Sequence, residues 1–149
     1  MVRKKFKKFE RWPMIYVDGS SKGNPGPAGI GYCVMDEDGR ILKRGGEFIG
    51  FASSRVAEYF AMKEGMEQAL EMGMRSVCFM TDSLMVVNQL KGIFRISNKD
   101  VLPMFRDIKQ MSRELERVKF IHVPRSRNTI ADKEARLAIA RHIDEEMLK

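Results

Sequence analysis

The chain is short of the residues that staple or wire small folds together. It has two cysteines and two histidines in 149 residues, at spacings that suit neither a disulfide framework nor a zinc cage. Cys33 and Cys78 fall in apolar, strand-like runs and read as buried free thiols. No apolar run approaches the ~20 residues of a membrane-spanning helix, and the basic N-terminus leads into no apolar stretch of a signal peptide. The chain is therefore expected to be cytoplasmic and without membrane contact. Acid is in deficit too, with 27 Lys and Arg against 20 Asp and Glu and a net charge of +7. That balance favours polyanionic partners, nucleic acid first, through phosphate neutralisation and counterion release. Six of the first twelve residues, MVRKKFKKFERW, are basic, so residues 1–12 read as a basic extension, solubilising or phosphate-seeking, ahead of one domain at 13–149.

What is present has a clear order. Residues 14–17, 30–36 and 37–50 are rich in branched, aromatic or alternating apolar positions, the last two joined by a turn at Asp38 and Gly39, which predicts three strands. From Val56 to Gly73 the period changes: Ala57, Phe60, Ala61, Met66, Ala69 and Leu70 form an apolar stripe opposite Glu64, Glu67 and Glu71, the pattern of a helix. SVCFMTD is a strand buried on both faces, and DSLMVVNQLKG a helix ending near Gly92. A second amphipathic pattern spans Val101 to Glu116, with Met104, Phe105, Ile108, Met111 and Leu115 on one side and Pro103 in its first turn. VKFIHVP is a fifth strand, and residues 128–149 a last helix offering Ile130, Ala131, Ala135, Leu137, Ala138 and Ile143 to a core. The order βββαβααβα implies an α/β fold, a five-stranded mixed sheet flanked by helices.

Four acids stand at the ends of these elements: Asp18 and Asp82 after strands, Glu58 and Asp132 in the first turns of helices. Each has an ordinary structural reading. Asp82 suits a helix N-cap, Asp18 in YVDGSS an Asx turn, and Glu58 and Asp132 the positive end of a helix dipole. A mixed sheet would nevertheless bring all four to one edge. Two carboxylates about 4 Å apart repel by ~4 kcal/mol at an effective dielectric near 20, so a cluster of them points to a bound divalent cation, and oxygen-only ligands to Mg²⁺ or Mn²⁺. In a basic protein this combination suggests phosphodiester hydrolysis.

YVDGSSKGNPGPAGIGY, VAEYFAMKEGMEQAL, TDSLMVVNQLKG and HVPRSRNTIADKEA, in this order and spacing, resemble the type 1 ribonuclease H family over about residues 14–140. HVPR followed by an asparagine and an AD pair is similar to its archaeal-like and reverse-transcriptase-associated branches. The resemblance implies the ribonuclease H fold and endonucleolytic hydrolysis of the RNA strand of RNA/DNA hybrids, leaving 5′-phosphate and 3′-hydroxyl ends. It implies two metal ions, Mg²⁺ or Mn²⁺, held by Asp18, Glu58, Asp82 and Asp132 as the catalytic acids. Asp18 would touch both ions, Glu58 and Asp82 the leaving-group ion and Asp132 the nucleophile's. Glu58 would also hydrogen-bond an RNA 2′-hydroxyl. Gly19, Ser20 and Asn24 would lie along the RNA, in a turn from Gly19 to Gly31 that lets backbone approach it. The implied partner is the hybrid, with no small-molecule cofactor, and the protein is expected to be a monomer.

Three departures from the family pattern bear on substrate contact. Ahead of Glu58 the family often has threonine and two asparagines; here Ser53 keeps a hydroxyl for a DNA phosphate, while Ser54 and Arg55 replace the asparagines. The basic handle helix of many members is absent, since only KGIFRISNK separates the two middle helices, and the tail from Arg3 to Arg11 is expected to supply affinity instead. The histidine before the last acid is missing; Arg125 and Arg127 stand there, for a scissile phosphate or for product release, or simply as exposed loop charges. Non-catalytic hybrid binding and cleavage of a wider range of duplexes are the alternatives.

Overall fold

Alternation along the strands sets the two faces of the sheet. Ile15 and Val17 of β1 (Met14–Ser21), and Val77 and Phe79 of β4 (Ser76–Thr81), are fully buried on one face. There they meet Tyr59, Met62 and Met66 of α1 (Ser54–Glu71) and, beyond α1, Ile108 of α3 (Leu102–Ser112). Each such side chain contributes roughly 1.5–3 kcal/mol by leaving water. The computed structural model describes residues 11–149. β2 (Gly26–Met35), β3 (Ile41–Ala52), β5 (Arg117–His122), α2 (Leu84–Leu90) and α4 (Thr129–Met147) complete the expected order, with one 3-10 turn, Arg125–Arg127, before α4. The sheet runs β3-β2-β1-β4-β5; its first three strands are antiparallel, and β4 pairs parallel with β1 and with β5. α4 covers the opposite face over β1, β2 and β3.

Several boundaries moved for identifiable reasons. β1 does not stop at Asp18: it stays paired with β2 through Ser21↔Ala28, so the predicted turn from Gly19 to Gly31 contracts to residues 22–25. β5 ends at His122, short of Pro124, which has no N–H to offer a ladder. α1 begins at Ser54, capped by Ser53, and its true inner face carries Tyr59 and Met62, while Phe60 is 38% exposed. Cys33 is buried as expected, but Cys78 is only half-buried. Residues 91–101 join α2 to α3 without a helix. Of the basic extension, residues 1–10 lie outside the described residues. Arg11 stands 3.7 Å from Asp38, and the Trp12 ring lies beneath the cations of Arg117 and Lys119, 4.9 and 4.4 Å from its centroid. Among the described residues no helix is long and apolar enough to cross a membrane.

Candidate active site

β1 and β4 pair in parallel with Tyr16 opposite Met80. Two residues further on, the same register and the same face carry Asp18 and Asp82. Hydrogen bonding between the strands has ended by then, so β1 leaves β4 just where the two acids stand. Asp18 is thus not at the end of its strand, as the sequence suggested, but mid-strand, paired with β2 on one side and open on the other. Nor is Asp82 an N-cap. Ser83 caps α2, its Oγ accepting from the Val86 N–H at 3.3 Å, which leaves the Asp82 carboxylate uncommitted to the helix.

The other two acids arrive on helices that come unusually close to the sheet, and two glycines permit it. A Cβ on Gly19 would lie 2.2 Å from the backbone carbonyl of Ala57, and one on Gly31, directly across from Asp18, 2.0 Å from the Ala131 oxygen. Gly19 therefore seats α1, with Glu58 one residue past the contact, and Gly31 seats α4, with Asp132 likewise one residue past. The sequence reading assigned the Gly19 approach to nucleic acid; in the structure it is used by α1. Glu58 sits in the second turn of α1 rather than the first, so the dipole explanation fades. Asp132 is in the first turn of α4 as expected.

Electrostatically the other three acids all act on Asp18. Asp18 is 8% exposed, and burial first, then the charge of Asp82, a hydrogen bond shared with Asp132, and the charges of Asp132 and Glu58 push its carboxyl up to about 9. Burial also raises Glu58, against the lowering effect of Arg55 and of the Ser83 hydroxyl, which donates to Glu58 Oε2 at 3.1 Å. The donor set is carboxylate oxygen only, which fits a hard divalent cation. Among the described residues no three acidic, histidine or cysteine side chains close on one point as a cage.

The residues expected to bind substrate lie around this group. Ser53 Oγ accepts from the Val56 N–H at 3.2 Å as the cap of α1 and retains its own hydroxyl proton for an outside acceptor. Asn24 Oδ1 accepts the Ser54 N–H at 3.1 Å, tying the β1–β2 turn to the start of α1. Arg55 points at the acids, 3.3 Å from Glu58 and 3.5 Å from Ser83. Arg125 reaches Asp82 at 3.7 Å, and Arg127 is exposed on the same 3-10 turn. Ser20 lines a groove of about 390 Å³ with Lys22, Arg136 and Ile139.

Three contributors were missed in the sequence. Ser83 lay hidden beside a better-looking cap. Arg136 pairs with Asp132 at 3.1 Å, at the i,i+4 spacing that could have announced it. Asn128, 1% exposed, donates its Nδ2 to the Val17 carbonyl at 2.9 Å, and its Oδ1 is buried without a partner. It satisfies a carbonyl that β4 abandons and fastens the start of α4 to the strand of Asp18.

Residues 16–138 match the family model described as "Reverse transcriptase-like". The chain is similar to RNase H1 from the halophilic archaeon Halobacterium salinarum, at 32% identity over 87% of this chain and 98% of that one, with a TM-score of 0.84. It is equally similar to LC11-RNase H1, solved in complex with an RNA/DNA hybrid, at 32% identity, 88% and 99% coverage and a TM-score of 0.83. A bifunctional protein of Mycobacterium tuberculosis is 35% identical over 121 residues, 80% of this chain; the chain spans a third of its length (33%).

Proposed function

The chain belongs to the type 1 ribonuclease H family, and from that premise we propose that it is an endonuclease that hydrolyses the RNA strand of RNA/DNA hybrids, leaving 5′-phosphate and 3′-hydroxyl ends. The observation that carries this reading is the convergence of Asp18, Glu58, Asp82 and Asp132 where β1 parts from β4, with Asp18 raised first by burial and then by the other three. These four would hold two divalent cations, Mg²⁺ or Mn²⁺, which supply an activated water and neutralise charge at the scissile phosphate.

The chain's own residues do the rest. Glu58, held by Ser83 and Arg55, keeps a carboxylate oxygen free to accept from an RNA 2′-hydroxyl, the group that distinguishes RNA from DNA. The exposed guanidiniums of Arg125, beside Asp82, and of Arg127 on the same turn can take backbone phosphates, as can the Ser53 hydroxyl. Ser54 and Arg55 stand where many relatives have asparagines, which shifts the balance of contacts from base edges to phosphates.

The test is cleavage of an end-labelled hybrid beside duplex RNA and duplex DNA, in Mg²⁺ or Mn²⁺, for the wild type and Asp18→Asn. Hybrid-selective cutting abolished by the substitution is the expected result. Binding without cutting would make the protein a hybrid-binding module, and equal cutting of duplex RNA a nuclease of broader range.

A further inference from the structure

Three of the four acids already carry an arginine, each from a different element. Arg55 of α1 lies 3.3 Å from Glu58 Oε2, Arg125 of the 3-10 turn 3.7 Å from Asp82 Oδ2, and Arg136 of α4 sets its Nη2 3.1 Å and its Nε 3.3 Å from the two oxygens of Asp132. Arg125 and Arg136 approach from the solvent side, their side chains 87% and 69% exposed, while Arg55 is 33% exposed and meets Glu58 through one oxygen only. Pairs with an exposed cation are weak, typically 0–1 kcal/mol, so these carboxylate oxygens can be surrendered to a stronger partner. A guanidinium fork fits phosphate as well as carboxylate. Arg136 also borders the groove shared with Ser20, Ser21 and Lys22, which gives it somewhere to go.

We propose that Arg55, Arg125 and Arg136 are exchangeable counter-ions: each holds its carboxylate until a divalent cation takes the oxygens, and its fork then turns to a backbone phosphate of the bound hybrid. The inference rests on the metal-dependent, hybrid-cutting reading above. Cation and nucleic acid then favour each other's binding by equal factors, as linkage requires, and the arginines are the positioning residues that carry the coupling.

The experiment follows thermal stabilisation by Mg²⁺ alone, with no nucleic acid present, in the wild type, in single Arg→Gln variants at 55, 125 and 136, and in the triple variant; such stabilisation reports cation affinity directly. Removing one weak competitor is expected to lower the half-saturating Mg²⁺ concentration by ~2–5-fold and removing all three by ~10-fold. Arg127→Gln, on the same turn as Arg125 but outside the three pairs, is the control for net charge and is expected to leave the midpoint in place. Binding of a fluorescent RNA/DNA hybrid with Ca²⁺ as the divalent ion is expected to weaken by ~3–10-fold in the triple variant. An unchanged Mg²⁺ midpoint in the triple variant, or a shift in Arg127→Gln equal to that in Arg125→Gln, overturns the exchange. A wild type that Mg²⁺ does not stabilise at all overturns the metal reading as well, so the two failures are distinguishable.

Discussion

Helices α1 and α4 each bring one acid to Asp18 from opposite faces of the sheet, and they are anchored differently. The start of α1 is capped by its own neighbour, Ser53, which accepts from Val56, and is tied across the chain to Asn24, which accepts from Ser54. α4 has no side-chain cap; its boundary residue, Asn128, spends its amide on the Val17 carbonyl of β1. The acids differ too. Glu58 is held through one oxygen by Arg55 and by Ser83 from the start of α2, whereas Asp132 is held through both oxygens by Arg136 of its own helix. One end has a side-chain cap as well as a tertiary tie and the other has the tie alone, so damage should spread differently from each.

The glycine seats are the severest way to break the pair. Gly31→Ala and Gly19→Ala would press a methyl against helix backbone at 2.0 and 2.2 Å, which neither partner can yield. Each is expected to cost ~2–4 kcal/mol in urea unfolding, with activity falling further than stability predicts. A loss below ~0.5 kcal/mol at either position would refute the seating.

Asp18→Asn is expected to act in the other direction when a chelator is present. Because the folded-state pKa is raised from 3.8 to about 9, the folded protein keeps a proton that the unfolded chain releases, and stability falls as pH rises through that window. The variant escapes this loss. Its unfolding free energy should match the wild type near pH 4 and exceed it progressively toward pH 8, by an amount on the order of 2 kcal/mol or more; parallel curves would mean that Asp18 is not held neutral.

Smaller effects sharpen the comparison. Asn128→Ala strands the Val17 carbonyl, at ~1–3 kcal/mol, and is expected to lower kcat with little change in KM, since it moves Asp132 and not the substrate-facing residues. Ser53→Ala and Ser83→Ala each remove a cap, at ~1 kcal/mol. Only Ser83→Ala should also reduce kcat, because only Ser83 donates to Glu58; equal kcat losses would erase the distinction.

The element order was legible because it rides on strong signals, period changes and apolar runs, and the four acids stood out beside the joints between them. The seats were not. Gly19 and Gly31 read as the ends of a turn that lets backbone approach RNA, since glycine is the same letter whether it frees a turn or makes room for a helix, and only the pairing of Asp18 with Gly31 decides which. Asp82 and Ser83 are both good caps by propensity, so the sequence could not say that the serine would take the role and leave the acid free. Phe60 was put on the inner stripe because a helix lying between sheet and α3 buries a wide arc, and its period alone does not fix where that arc ends. Asn128 needed a contact across 111 positions of chain, beyond the reach of local pattern.

The single tryptophan has a practical consequence. Trp12, the only indole in the chain, with the cations of Arg117 and Lys119 over its ring, lies just ahead of β1 and six residues before Asp18, some 20 Å of extended chain at about 3.3 Å per residue. Its emission is therefore a lamp fixed at the far rim of the sheet. If α4 lifted from its seat while the sheet held, ellipticity would register the event and the lamp would not; melts followed by both probes together would separate loosening of the catalytic end from collapse of the whole domain.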